Sequence, residues 1–238
     1  GAGPRGGPRR GRSSRRPVRV SAVGGARFVA PVPWFPLPAR LAVLLSGRGS
    51  NFEALADACA RGELPARIVL VLSDRADARG LARAGARGLA TAVEEREPGE
   101  KRAAHEERLA RRIEASGADL VCLAGFMRVL SPAFVARFER RIVNVHPSLL
   151  PAFPGLEAQK QALEHGVKVA GATVHLVDAG TDTGPIAGQE AVPVLPGDDA
   201  ERLAARILDV EHRLYAGTLA RLLAGGWTVE GRRLTFPA

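Results

Sequence analysis

The chain has 238 residues, of which 46% are hydrophobic and 25% are charged, a composition typical of globular proteins. A chain of this size buries enough apolar surface to fold without disulfides or bound metal, and its composition excludes the collagen-like, coiled-coil and fully disordered classes. No apolar run reaches the roughly 20 residues of a membrane-spanning helix, so we expect no membrane partner, whereas the net charge of +9 suggests nucleic acid.

The segment 1–39 is rich in Arg, Gly and Pro. Nine of the 34 basic residues lie in residues 1–40, which contain no acidic residue, so the remaining 25 basic residues equal the 25 acidic residues of the body. We therefore predict a disordered basic extension over 1–39, followed by one neutral domain over 40–238 that binds no nucleic acid. A targeting segment and a nucleic-acid-binding arm are the alternatives for the extension.

The first half of the predicted domain alternates short apolar strands with amphipathic helices. Strands are predicted at 41–45, 68–72, 120–123 and 142–145, and helices at 52–61, 78–86 and 100–116. Strands that are apolar at every position are typical of a parallel sheet buried on both faces. The alternation therefore predicts an α/β fold in which one mostly parallel, twisted sheet carries helices on both faces.

The second half of the domain contains two further strands and one long helix. Strands predicted at 172–177 and 190–194 flank a loop rich in Gly, Asp and Thr. A helix is predicted from 198 to 224, because acidic residues favour its first turn and two glycines follow its end. The segment 227–234 is predicted to form a small hairpin or an edge strand.

The sequence SGRGSN at 46–51 joins the first strand to the first helix. Gly47 and Gly49 allow the backbone to turn tightly and to approach a ligand closely. The N–H groups at the start of the following helix favour a bound phosphate. Phe52 occupies the position of the third glycine of the dinucleotide-binding motif, so that motif is absent. The alternative is a tight turn that binds nothing.

The sequence NVHPSLLP at 144–151 follows the end of a predicted parallel strand, the end at which open sheets bind ligands. Asn144 and His146 are two residues apart, so in an extended chain their side chains point the same way. An amide and an imidazole that project together can stabilise an oxyanion. A purely structural histidine is the alternative.

The sequence TVHLVDAGTDTGP at 173–185 carries two aspartates in a glycine-containing loop. Asp182 is expected to reach His146 from across the sheet, where a carboxylate raises the pKa of an imidazole and fixes its orientation. The alternative is an ordinary turn, in which Asp and Gly are common. His175 and Asp178 add possible metal ligands, but the spacing of a metal site is absent, so we expect no metal.

The two cysteines, Cys59 and Cys122, form neither a disulfide framework nor a zinc-binding pattern. Cys122 lies in the apolar run 120–124, where free cysteines are commonly buried. A protein with free thiols is expected in a reducing compartment, and we therefore predict a cytoplasmic location.

Together with LAGFMRVLSP (123–132) and EHRLY (211–215), these three segments resemble the phosphoribosylglycinamide formyltransferases over residues 41–235. The resemblance implies the Rossmann-like formyltransferase fold. It also implies transfer of a formyl group from 10-formyltetrahydrofolate to glycinamide ribonucleotide, a step of purine synthesis. The expected partners are these small molecules, and the expected state is a monomer or a weak homodimer.

The resemblance also assigns residues to roles. The catalytic residues would be Asn144, His146 and Asp182, with protonated His146 stabilising an oxyanion and Asp182 keeping the imidazole charged. The ribonucleotide would contact Gly49, Ser50, Asn51 and Glu211. The folate would contact Arg102, Met127, Arg128, Val129, Leu130, Asn144, Asp178, Ala179, Gly180, Thr181 and Asp182. Relatives often carry histidines where this chain has Glu157 and Gln159. This departure concerns the details of folate binding and not the reaction.

Three other functions are weighed against this assignment. Methionyl-tRNA formyltransferases share the core but usually carry a further C-terminal domain, and few residues follow the last predicted helix here. Formyltetrahydrofolate deformylases use water as the acceptor and usually carry an N-terminal regulatory domain. A nucleic-acid-binding protein that acts through its basic arm is the non-enzymatic alternative, and its binding would depend on salt.

Overall fold

A ten-stranded β-sheet runs through the described part of the chain, which comprises residue 3 and residues 27–238 of this computed structural model. The strands are β1 (Phe28–Val29), β2 (Ala39–Leu45), β3 (Ala66–Ser73), β4 (Thr91–Val93), β5 (Leu120–Leu123), β6 (Ile142–His146), β7 (Val169–Leu176), β8 (Ile186–Pro193), β9 (Thr228–Glu230) and β10 (Arg233–Thr235). The helices are α1 (Ser50–Ala60), α2 (Arg79–Ala86), α3 (Arg102–Ala115), α4 (Pro132–Arg137), α5 (Ala158–Glu164) and α6 (Ala200–Ala224).

The strand order is β1-β9-β10-β8-β7-β6-β5-β2-β3-β4. The five strands from β6 to β4 in this order are parallel, whereas β7 pairs antiparallel with both β6 and β8. The predicted α/β fold with a mostly parallel sheet is therefore confirmed. In the parallel part of the sheet, β2 comes first along the chain and lies between β3 and β5. The later strands are therefore added on both sides of β2. Ligands bind at such a switch point in open α/β sheets.

Both faces of the sheet are covered by helices, as the apolar strands predicted. The side chains of β2 alternate between the faces, as side chains of a strand do. Leu41, Val43 and Leu45 pack with residues of α1 and α6. Ala42 and Leu44 pack with residues of α3 and α4 on the other face. The strand is thus buried on both sides, which explains the absence of a period-two pattern.

The predicted helices and strands are confirmed to within a few residues at their ends, and the predicted terminal hairpin is formed by β9 and β10. The sequence reading missed β1, β4, α4 and α5, which have between two and seven residues each. A start signal for α4 was present, because Ser131 caps it and Pro132 is its first residue. Among the described helices, none is long and apolar enough to cross a membrane.

Residues 28–38 were expected to be part of the disordered extension, but in the structure they pack against the domain. Strand β1 pairs with β9, and Trp34 is buried against the edge of the Trp227 ring at 4.8 Å between ring centroids. The prolines of this segment suggested disorder, but they alternate with aromatic and apolar residues that cover the end of α6. The remainder of the predicted extension, residues 1–2 and 4–26, lies outside the described residues.

Replacing Trp34 with Ala is expected to lower the free energy of unfolding by about 3 kcal/mol, because a buried aromatic side chain is lost and a cavity remains. Urea denaturation of the full chain, followed by circular dichroism, measures this. Leu37→Ala is the matched control, since that side chain is in the same segment but 49% exposed, and it should cost about 0.5 kcal/mol or less. Equal losses for the two variants would contradict the packing of this segment.

Candidate active site

A cleft of about 540 Å³ opens at the carboxyl ends of β2, β5 and β6, and its size is typical of small-molecule sites. The structure brings fourteen of the sixteen sequence-predicted site residues into its lining: Gly49, Ser50, Asn51, Met127, Arg128, Val129, Leu130, Asn144, His146, Asp178, Gly180, Thr181, Asp182 and Glu211. The other two, Arg102 and Ala179, are not part of that lining.

One end of the cleft is formed by the start of α1. Gly49 has a φ of 79°, and a Cβ there would lie 2.6 Å from the Cα of Gly80, so both the left-handed backbone and the close approach require glycine. The N–H of Gly80 donates to the carbonyl of Gly47 at 3.0 Å, which ties α2 to the turn. The first N–H groups of α1 lack helical partners, as at any helix start, and are available to an anion.

Asn51 and Glu211 meet in the wall beside this helix start. The amide Nδ2 of Asn51 donates to Oε2 of Glu211 at 2.7 Å. Burial raises the pKa of Glu211 above its ordinary value, and the contacts with Asn51 and Arg48 oppose that rise. The buried Oδ1 of Asn51 accepts no hydrogen bond. An unsatisfied acceptor in a cleft wall fits a ligand that brings a donor, such as a hydroxyl group.

The centre of the cleft is formed by β6 and its antiparallel neighbour β7. Asn144 is the register partner of His175, and Nδ2 of the amide lies 3.2 Å from Nε2 of that imidazole. The other ring nitrogen of His175 lies 3.0 Å from the carbonyl of Leu176, so it carries the proton. Nε2 of His175 therefore accepts from Asn144, and the amide orientation is fixed.

His146 lies between a carbonyl and a carboxylate. Its Nε2 donates to the carbonyl of Phe153 at 2.9 Å, and its Nδ1 lies 3.4 Å from Oδ2 of Asp182. Burial lowers the pKa of His146 below 6.5, and the Phe153 contact and the Asp182 charge do not compensate for it. The expectation that Asp182 keeps this imidazole charged is therefore corrected, because desolvation of the cation outweighs the attraction.

Asp182 reaches His146 from the loop after β7, as predicted. Its Oδ2 accepts from the Gly155 amide at 2.7 Å, and its Oδ1 lies 3.6 Å from Nε2 of His175. Burial alone would raise the pKa of Asp182, but the contacts with His175, Gly155 and His146 outweigh burial and lower it. The carboxylate is therefore ionised at neutral pH.

Another part of the cleft wall is formed by the segment 127–130, which we call the β5 loop. Met127 and Val129 expose 64% and 61% of their surface there, although their backbone is held. Arg102 does not line the main cleft but donates to the carbonyl of Val129 at 2.5 Å and to Glu106 at 2.9 Å. It therefore holds the loop from behind, and it lines a side cavity of about 190 Å³.

The loop 178–182 is held by its own contacts. Oδ1 of Asp178 accepts from the Gly180 amide at 3.1 Å and from the Thr183 hydroxyl at 2.6 Å. These bonds form a compact turn in which Asp178 faces the cleft and Ala179 does not. This segment is therefore a local turn that also lines the cleft, so the two interpretations of the loop are compatible.

Several residues of the cleft were not assigned by the sequence reading. His175 was considered only as a metal ligand, yet it contacts both Asn144 and Asp182. Its role could have been found from the antiparallel pairing of β6 and β7, which places it opposite Asn144. Arg48, Glu157 and Gln159 also line the cleft. Within residues 27–238, no group of three or more His, Cys, Asp and Glu residues is placed to hold a metal ion.

The charges around His146 generate a prediction. Asp182→Asn should lower the pKa of His146 further, because the substitution removes a charge that favours the imidazolium while burial remains. An NMR titration of the histidine ring protons measures the pKa. Asp178→Asn removes the same charge from the same loop and should shift this pKa less. An unchanged or raised pKa in Asp182→Asn would contradict the described geometry.

Comparison with known proteins identifies the family. The formyl transferase family matches residues 39–219. The phosphoribosylglycinamide formyltransferase of Mycobacterium tuberculosis (strain H37Rv) is 48% identical over 199 residues, which cover 84% of this chain and 92% of that protein. The crystal structure of glycinamide ribonucleotide transformylase 1 from Symbiobacterium toebii superposes with a TM-score of 0.81 at 51% identity, covering 84% of this chain and 94% of that one.

A longer protein also contains a similar segment. The trifunctional purine biosynthetic protein adenosine-3 of Drosophila melanogaster is 49% identical over 189 residues, which cover 78% of this chain. This chain spans only 14% of the length of that relative. The matched residues extend from β2 into α6 and include the whole cleft. The chain therefore belongs to the formyl transferase family, among the phosphoribosylglycinamide formyltransferases.

Proposed function

We propose that this chain transfers the formyl group of 10-formyltetrahydrofolate to the amine of glycinamide ribonucleotide, yielding formylglycinamide ribonucleotide and tetrahydrofolate. One observation carries the proposal. A helix start suited to phosphate, an exposed apolar loop and the side chains of Asn144, His146 and Asp182 all line one cleft. Such a cleft can bind two substrates so that their reacting atoms meet at its centre.

The ribonucleotide occupies the α1 end in this proposal. Its phosphate accepts hydrogen bonds from the backbone N–H groups of Ser50 and Asn51, close to the positive Arg48 side chain. Its ribose hydroxyls face Glu211 and the unsatisfied Oδ1 of Asn51, which needs a donor.

The folate occupies the β5-loop end. Met127 and Val129 offer exposed apolar surface for an aromatic ring, and polar groups of the loop 178–182 lie across the cleft from them. The bound folate supplies the formyl group, whose carbon is the electrophile. Because Arg102 is occupied with Glu106 and the Val129 carbonyl, its contribution to folate binding is to hold the loop.

The reaction breaks the bond from the formyl carbon to the folate nitrogen, forms a bond to the amine nitrogen and moves one proton from the amine to the folate. Negative charge develops on the formyl oxygen during attack. The Asn144 amide presents an N–H donor at the carboxyl end of β6. Donors fixed before the reaction stabilise such a charge at little reorganisation cost.

His146 and Asp182 move the proton. The neutral imidazole carries its proton on Nε2, so Nδ1 is free and faces the ionised carboxylate of Asp182. A proton taken up at Nδ1 is stabilised by that carboxylate, which lies 3.4 Å away. His146 can therefore accept the amine proton and release it to the departing nitrogen, in the manner of a general acid–base pair.

The first experiment supplies the full chain with 10-formyltetrahydrofolate and follows release of tetrahydrofolate by absorbance, with and without glycinamide ribonucleotide. Release that depends on the ribonucleotide is the expected result. Equal release without it would replace the proposal with hydrolysis, in which water is the acceptor. Absence of release from a folded chain would reject the ribonucleotide, and initiator tRNA would then be the acceptor to test.

Replacing His146 or Asn144 with Ala should each lower kcat by about 10²–10³-fold, because His146 supplies the general acid–base group and Asn144 an oxyanion donor. Circular dichroism and thermal unfolding verify that the variants are folded. His212→Ala is the control, since His212 lines a separate cavity between α1 and α6, and its kcat should stay within twofold. Wild-type turnover in folded His146→Ala would disprove the mechanism.

A further inference from the structure

Asp74 is a buried carboxylate that the proposed mechanism does not use. It follows β3 directly and is 5% exposed. Both of its oxygens are occupied: Oδ1 accepts from the hydroxyl of Ser46 at 2.6 Å, and Oδ2 accepts from Nε of Arg128 at 2.5 Å. A buried carboxylate is costly unless it is paired, so this one is retained together with its two partners.

Ser46 connects Asp74 to the turn before α1 and to the β5 loop. It is the first residue of SGRGSN, and the register of β2 and β3 places it beside Asp74. Its hydroxyl oxygen accepts from the Met127 amide at 2.8 Å, and its own amide donates to the Gly125 carbonyl at 3.0 Å. The turn before α1 is therefore hydrogen-bonded directly to the β5 loop.

Arg128 forms the wall between the main cleft and the side cavity, since it lines both. Its side chain is 35% exposed, and Asp74 fixes the guanidinium from the protein interior. The opposite side of the β5 loop is held by Glu106, which accepts from the Ser131 amide at 2.8 Å and from Arg102. The loop is thus anchored from two sides, and Asp74 provides the anchor nearer the main cleft.

We propose that Asp74 is a positioning residue for folate binding: through Arg128 and the Ser46–Met127 hydrogen bond, it sets the shape of the β5 loop. This inference rests on the proposed function, because it assigns the loop to the folate. Asp74 does not line the cleft, so it acts only through its neighbours. Removing its carboxylate should weaken folate binding more than it slows the chemical step.

Steady-state kinetics of the full chain test this. Asp74→Ala should raise KM for 10-formyltetrahydrofolate about tenfold, with kcat within threefold of wild type and KM for the ribonucleotide within twofold. Asp74→Asn should have a smaller effect than Asp74→Ala. The amide oxygen can still accept from either Ser46 or Arg128, although the amide NH₂ group then faces the remaining partner. A merely structural role would lower the active fraction and hence kcat, leaving KM unchanged.

Asp77→Asn is the matched control. Asp77 lies three residues further along the same segment, pairs with Arg75 and has a side chain that is 73% exposed. The Asp77→Asn substitution removes one negative charge, as Asp74→Asn does. The KM values of Asp77→Asn for both substrates should equal those of wild type. An increase of folate KM in Asp77→Asn equal to that in Asp74→Asn would attribute the effect to net charge and overturn the proposal.

A double-mutant cycle tests the route through Arg128. If Asp74 acts through that guanidinium, Asp74→Ala should raise the folate KM much less in an Arg128→Gln background than in the wild-type background, because coupled residues are not additive. A residual increase of about twofold is expected from the Ser46–Met127 contact. Full additivity of the two substitutions would reject the coupling and with it the proposal.

Titration of tetrahydrofolate by calorimetry separates this inference from the proposed function, because it needs no turnover. Weaker tetrahydrofolate binding in Asp74→Ala than in wild type would support the positioning role even if the ribonucleotide were not the acceptor. Equal affinity in the two proteins would reject the positioning role even if wild-type turnover depended on the ribonucleotide. The positioning role of Asp74 and the proposed function are therefore rejected by different results.

Discussion

The arrangement of the site depends on the pairing of β2 with both β3 and β5. Because these strands are parallel, their carboxyl ends meet at one edge of the sheet, and the turns that follow them become neighbours. The turn after β2 begins with Ser46, and Asp74 follows β3 beside it. The β5 loop then binds both residues. The turn before α1 and the β5 loop are therefore parts of one hydrogen-bonded edge.

At the centre of this edge, burial and charge act in opposite directions on adjacent groups. Burial keeps His146 neutral, whereas hydrogen bonds and nearby imidazoles keep Asp182 ionised despite burial. The pair thus holds one negative charge at rest instead of an ion pair. A neutral imidazole next to a carboxylate can take up a proton and lose it again, which a permanently charged one cannot do.

The sequence was sufficient for much of the fold, because its central strands are continuously apolar and its turns carry glycine. It also suggested the juxtaposition of Asn144, His146 and Asp182. It could not show that Arg102 faces the back of the β5 loop, since the direction of a long side chain depends on its partner Glu106. Nor could it give the pKa of His146, because burial depends on the loop that contains Phe153.

The close contact between Gly49 and Gly80 has a consequence for sequence variation. Gly80 belongs to α2, yet a Cβ on it would lie 2.6 Å from Leu45 and 3.1 Å from the Cα of Gly49. A larger residue at position 80 would require the Leu45 side chain to move and the backbone at Gly49 to shift slightly. The shape of the turn before α1 therefore depends partly on a helix that contributes no residue to the lining of the cleft.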